Sequence, residues 1–280
     1  MTKPLTLGYS PCPNDTYIFY ALTHGLLDIP GVQLADPLLE DVETLNSWAV
    51  AKKLDITKLS FHALGHVLDE YCVLSAGSAL GRGCGPLLVA RPGIEVSTLE
   101  NARIAIPGKL TTANMLFRMY APQSSNLIEM RFDKIMKQVA DGEVDAGVII
   151  HESRFTYSDH GLTCLQDLGA WWEETSGHPI PLGCIAARRS LGKKRIKQID
   201  RAIHDSIVWA DKHPDECLPY IQQYAQEMDQ QVMQNHIGLY VNNYSKELGT
   251  EGLAAIESFL RLGREAGILP DLSETTTLQI

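Results

Sequence analysis

The run Ala146-Gly147-Val148-Ile149-Ile150 is apolar or small without interruption, and it ends on His151. A short strand with no polar alternation is one buried on both faces, as in a parallel sheet covered by helices. That requirement points to a layered α/β fold. Open α/β sheets bind their ligands beyond the carboxyl ends of the strands. An imidazole therefore stands where such a fold keeps its ligand, and its ordinary pKa lies nearest neutrality. A strand-end histidine that only ties down a loop is the plainer alternative. If extended geometry continues past Ile150, alternation turns His151 and Ser153 toward the ligand and Glu152 away.

Strand–turn–helix units recur along the chain. Leu5 to Tyr9 reads as a strand, followed by a turn and a helix from Thr16 to His24 that Asn14 or Asp15 can cap before Gly25 stops it. Further strands are expected at 34–40, 56–60, 103–106, 146–150 and 182–187, with helices at 42–51, 61–68, 111–120 and 133–141. From Lys194 to near Leu269 the pattern is helical, broken at Pro214, Asn242-Asn243 and Gly249. Such a succession predicts an α/β protein with mostly parallel sheets. Two proline-marked strands, Gly85 to Gly93 and His178 to Gly183, look like crossings between lobes. The expected organisation is a larger discontinuous lobe of residues 1–90 and 187–280 and a smaller α/β lobe of 91–186. A ligand cleft would lie between them and close on hinges near Ala90 and Leu182.

Bulk properties narrow the function. The 280 residues carry a formal charge of −10, which argues against a nucleic-acid partner. No stretch approaches the roughly 18 apolar residues of a membrane span. The opening residues lack the long apolar stretch of a secretion signal. The six cysteines are scattered with no CxxC pair, so a disulfide framework or zinc site is not expected and a reduced, cytoplasmic setting is. Most of them read as small buried hydrophobes.

Three strand-to-helix loops are rich in small donors: Ser10 to Thr16, Thr57 to Ser60, and Pro107 to Ala113. Helix starts offer free N–H groups and partial positive charge, and Ser, Thr and Lys add further donors. Facing one cleft, they suit a small, hydroxylated ligand carrying a carboxylate. Each loop taken singly could be an ordinary helix cap. Arg82, in Gly81-Arg82-Gly83-Cys84-Gly85-Pro86, could pair with a ligand carboxylate or with a protein one. His62 and His66 share a helix face but have no third metal ligand at a clear spacing. Trp171 and Trp172 could wall an aromatic ligand or fill the core.

In this order, Ser10 to Thr16, Glu40 to Asn46, Thr57 to Ser60, Gly81-Arg82-Gly83, Pro107 to Ala113, Ile150 to Tyr157 and Gly169 to Glu174 together resemble the 1,4-dihydroxy-6-naphthoate synthases of the futalosine route to menaquinone. The sister chorismate dehydratases share the fold. The Ser10-Pro11-Cys12-Pro13-Asn14-Asp15-Thr16 and His151-Glu152-Ser153-Arg154-Phe155-Thr156-Tyr157 blocks favour the synthases. The resemblance implies a two-lobed fold of the periplasmic-binding-protein type 2 kind, turned to catalysis without a cofactor or metal. It implies a lyase that converts cyclic dehypoxanthine futalosine to 1,4-dihydroxy-6-naphthoate and dihydroxyacetone. It puts the general base on His151 and substrate binding on Lys58, Leu59, Ser60, Thr112 and Ala113. Asn14 and Arg82 join these from the loop reading. A non-catalytic carboxylate binder or sensor of the same fold is the competing class, and a turnover assay separates the two.

Overall fold

A computed structural model describes residues 3–225, 229–271 and 277–279. In chain order the strands among them are Leu7–Tyr9 (β1), Leu38–Leu39 (β2), Ile56–Ser60 (β3), Tyr71–Val73 (β4), Ala79–Gly81 (β5), Leu87–Ala90 (β6), Ile104–Ile106 (β7), Leu127–Glu129 (β8), Ala146–Ile149 (β9), Thr163–Asp167 (β10) and Ile180–Arg188 (β11). They form two sheets. The first runs β2-β1-β3-β11-β4, with β5 also paired to β11; the second runs β10-β6-β9-β7-β8.

Both sheets are mixed rather than mostly parallel. β1, β2 and β3 run parallel, but β11 lies antiparallel to β3, β4 and β5. Likewise β9 is parallel to β7 and antiparallel to β6. Hydrophobic content cannot tell the two directions apart, because a strand covered on both faces is apolar either way. Leu87–Ala90, expected with the first lobe, pairs inside the second sheet, and Ile180 to Ala186, expected with the second, pair inside the first. The chain thus passes between the sheets at 82–86 and again between β10 and β11.

Packing explains why these segments settle where they do. All four residues of β9 are buried, and a side chain at Gly147 would lie 2.4 Å from Ile135 and 2.9 Å from Val139. Glycine there lets the helix Phe132–Ala140 lie close on the strand. The helix Pro13–Thr23 starts three residues earlier than expected, with Pro13 in its first turn and Cys12 at the cap. Proline fits that position because its missing N–H has no helical partner to lose. Asn14 and Asp15 therefore lie inside the first turn instead of capping it. The C-terminal helices Lys193–Lys212, Pro214–Tyr224, Gln230–Tyr240 and Gly249–Glu265 follow the breaks at Pro214, Asn242 and Gly249. No helix among the described residues is long and apolar enough to cross a membrane.

Candidate active site

The cleft takes in about 650 Å³ of empty space, its open mouth included. Ser10, Asn14, Asp15, Lys58 and Ser60 come to it from the ends of β1 and β3, Thr111 to Ala113 from the loop after β7, and Ile150 and His151 from the end of β9. The carboxyl ends of four strands thus meet at one place, as expected of open α/β sheets.

His151 does not continue the strand. β9 ends at Ile149, and His151 adopts φ 59°, one of two non-glycine residues with a left-handed backbone among the described residues. Such a conformation costs an ordinary residue about 1–2 kcal/mol and is held by its surroundings. The turn breaks the expected alternation. Ser153 is buried at the start of a short helix and does not line the cleft, while Glu152 Oε2 comes within 3.9 Å of His236 Nδ1.

The His151 ring keeps some exposed surface because it opens on the cleft, yet it lies deep among protein atoms. Its Nδ1 sits 3.8 Å from Cys12 Sγ, and Phe132 packs edge-on at 5.0 Å. Burial drives its pKa down from 6.5 to about 4, against a smaller upward pull from Asp15. The expectation of a base titrating near neutrality is thus corrected: low-dielectric surroundings disfavour the imidazolium. Burial pushes the Cys12 thiol up, so it stays protonated. With Nδ1 facing Cys12, Nε2 is the nitrogen left for a ligand.

Under this base lies a buried ion pair. Lys58 Nζ meets Asp15 Oδ1 at 2.5 Å, and Asp15 also accepts from Ser10 Oγ at 2.7 Å and Asn14 Nδ2 at 2.8 Å. Lys58 is the cationic side chain among the described residues lining the cleft, and Asp15 neutralises it. Neutral donors must then meet a ligand carboxylate. Ser60 is held by Asn46, whose Oδ1 accepts from the Ser60 N–H at 2.9 Å and whose Nδ2 donates to Ser60 Oγ at 3.2 Å. That leaves the Ser60 hydroxyl proton for a ligand. Thr111 caps the helix Thr112–Tyr120 by accepting from the Asn114 N–H. The Thr112 and Ala113 N–H groups stand at its open end. The Thr112 hydroxyl is already used, donating to Leu182 O at 2.6 Å.

Other links cross from one sheet's elements to the other's. Glu43 accepts from the Leu110 N–H at 2.9 and 3.2 Å, and the His62 imidazole donates from Nδ1 to Thr111 O at 3.1 Å. Burial raises the Glu43 carboxyl pKa. Gly108, at φ 148°, leaves room for Glu43: a side chain there would come within 2.4 Å of its carboxyl carbon.

Several expected residues stand elsewhere. Leu59 alternates to the opposite face of β3 and is fully buried in the apolar core. Arg82 is half-exposed, pairing with Glu173 and Glu251 and donating to Gly177 O, and it does not line the cleft. Trp172 is core, packed on Phe259, and Trp171 stacks edge-on with Tyr120. His62 is buried away from the cleft and His24 is exposed. No group of three or more His, Cys, Asp or Glu converges as a metal set among the described residues. Replacing Arg82 with Ala is expected to change ligand affinity by less than about 1 kcal/mol, as for an exposed ion pair. A titration showing a tenfold loss would return Arg82 to the site.

His236 lies at the back of the cleft and escaped the sequence reading. It comes from the helix Gln230–Tyr240, where Met233, His236 and Tyr240 form the buried stripe. A histidine inside an otherwise apolar helical stripe was the available signal. Its ring stacks 6.1 Å from that of His151.

Comparisons with known proteins place the chain in a family. A family model described as menaquinone biosynthesis matches residues 5–265. The 1,4-dihydroxy-6-naphthoate synthase of Thermus thermophilus is 52% identical over 254 residues, spanning 91% of this chain and 92% of that protein. Its namesake in Streptomyces coelicolor is 43% identical over 273 residues, spanning 96% and 95%. A solved structure of an Archaeoglobus fulgidus protein superposes with a TM-score of 0.89 at 36% identity, covering 95% of this chain and 98% of that one. The alkanesulfonate-binding protein of Xanthomonas axonopodis pv. citri superposes with a TM-score of 0.72 at 14% identity over 97% and 96%, a likeness of fold alone. With a family match over nearly its whole length and two relatives of the same name, the chain belongs to the menaquinone biosynthesis family of enzymes.

Proposed function

We propose that the cleft cleaves cyclic dehypoxanthine futalosine to 1,4-dihydroxy-6-naphthoate and dihydroxyacetone, with His151 as general base. The observation that carries this reading is a neutral imidazole, held in a strained turn, in a cleft that hydrogen-bond donors also line. Release of a three-carbon ketone while a ring becomes aromatic is a carbon–carbon cleavage that leaves the overall oxidation level unchanged. It needs a base to take the first proton and donors where oxygen gains negative charge. His151 Nε2 supplies the base. Ser60 O–H and the Thr112 and Ala113 N–H groups supply donors for the carboxylate or the developing oxyanion. Lys58 and Asn14 complete the binding wall, and no cofactor is required. A cleft between lobes keeps water from the charge as it forms.

The test is direct. Purified protein is mixed with cyclic dehypoxanthine futalosine, and naphthoate and dihydroxyacetone are sought by chromatography. Substrate recovered intact from a saturated protein would identify a binder instead of a lyase. Within this reading, Ser60→Ala is expected to weaken binding by about 0.5–1.5 kcal/mol, or about 1.5–3 if the bond is to a charged oxygen. Unchanged affinity would remove Ser60 from the ligand's contacts.

The depressed pKa sets the pH behaviour. The base works in its neutral form, so kcat/KM is expected to stay level below the ordinary value of 6.5 and to fall only toward pH 4. Stability follows the same group. Between 6.5 and about 4 the unfolded chain binds a proton that the folded imidazole refuses, so this contribution is whole above 6.5 and is lost as pH falls toward 4. His62, also lowered to about 4 by burial, acts in the same direction. A kcat/KM profile with its acid limb at 6.5 would contradict the assignment.

A further inference from the structure

We propose that His236 is a positioning residue that locks the Asn14 side chain as a hydrogen-bond donor to the reacting ligand. The inference rests on the lyase reading above and concerns a residue to which that reading gives no role. His236 is fully buried, and its Nε2 lies 2.9 Å from Asn14 Oδ1. The Asn14 amide has a settled orientation, because its Nδ2 donates to the Asp15 carboxylate at 2.8 Å. Asp15 is fixed in turn by Lys58 and Ser10. Oδ1 therefore faces His236, and the nitrogen opposite it must carry the proton.

Two consequences follow from that order. His236 is the Nε2–H tautomer, and it is neutral, because burial and the neighbouring His151 and Lys58 drive its pKa well down. The Asn14 amide has its oxygen occupied by His236 and one N–H occupied by Asp15. What remains is its second N–H. At this point Asn14 offers the cleft a donor, which suits a carbonyl or a developing oxyanion. A donor held in place before the reaction stabilises charge without having to reorganise. Without His236 the amide oxygen would lose its partner, and the side chain would be held by the Asp15 bond alone, so the second N–H would no longer be fixed in direction.

The other ring nitrogen, His236 Nδ1, lies 3.9 Å from Glu152 Oε2. Phenylalanine or leucine would fill the stripe between Met233 and Tyr240; what the imidazole adds is the hydrogen bond to Asn14.

Two measurements test the proposal. The first needs no substrate: nitrogen-15 NMR of histidine-labelled protein is expected to give His236 as a neutral ring protonated at Nε2. A ring protonated at Nδ1 alone would overturn the proposal, whatever the protein does to cyclic dehypoxanthine futalosine. The second is kinetic. Glutamine can place an N–H where Nε2 stands, and asparagine cannot. His236→Asn is expected to lower kcat by about 10²–10³, the usual effect of losing one such donor, with KM nearly unchanged. His236→Gln is expected to recover most of that loss. Equal rates for the two variants would overturn the proposal, as would a loss confined to KM. If the wild-type protein leaves the substrate intact, the lyase reading fails, and the tautomer measurement still decides the placement of His236.

Discussion

Replacing His151 with alanine is expected to leave a folded protein that still binds the naphthoate product but forms it about 10²–10⁴-fold more slowly, the usual cost of removing a general base. The fold should survive because the ring makes one weak polar contact, with Cys12, and lines the cleft instead of filling the core. The backbone at φ 59° adds a second readout. Glycine carries no penalty in that region, so His151→Gly is expected to be about 1 kcal/mol more stable than His151→Ala while equally inactive. Greater stability together with lost activity is the mark of strain kept for function. The measurement is single-turnover product formation at saturating substrate, with circular dichroism to confirm folding. Near-wild-type turnover from folded His151→Ala would show that another group is the base. His236, which faces the cleft, would then be tested before His62 or His24, which do not.

Removing Asp15 is expected to be the most damaging change to stability at the site. Asp15 is fully buried and Lys58 nearly so, and Asp15 also holds Ser10 and Asn14. Asp15→Leu leaves an ammonium group in a low-dielectric pocket without its partner, which typically costs about 3–5 kcal/mol. Replacing both charges by apolar groups of similar volume is often neutral or better, so adding Lys58→Met to Asp15→Leu should return most of the lost stability. Urea midpoints of the wild type, the single variant and the double variant make the comparison. A single variant as stable as the wild type would mean that water reaches Lys58 and the pair is not a closed one.

The parts of the fold set by local pattern were legible from the chain. Strands near 56–60, 104–106 and 146–149 and the helices beginning at Val42 and Thr112 stand where apolar period and caps put them. What failed was set by partners distant in sequence. The direction of β6 and β11 depends on which strands they meet, and an apolar run carries no record of that. His151 was found because it follows a strand, but its left-handed turn was not, since histidine adopts that backbone only when its surroundings impose it. Arg82 looked available in sequence and is engaged by two glutamates contributed by remote helices. His236 reaches the cleft from a helix whose own pattern reports only which face is buried. Its meaning comes from Asn14, at the other end of the chain.

The position of β11 sets an order on how this chain can assemble. The second sheet draws all its strands from one unbroken stretch, Leu87 to Asp167, and can complete its pairing as soon as that stretch exists. The first sheet cannot. β3 and β4 are neighbours in sequence but not in space, and the strand that lies between them is made only after the whole second sheet, with Gly183 opposite Ser60 and Ala186 opposite Val73. Until it arrives, both carry open edges that could pair wrongly, and closing so long a loop is the slow step of such a topology. On a ribosome, the part of the molecule that starts first therefore finishes last. The wall of the cleft carrying Lys58 and Ser60 takes its final form only when the inserted lobe is already in place.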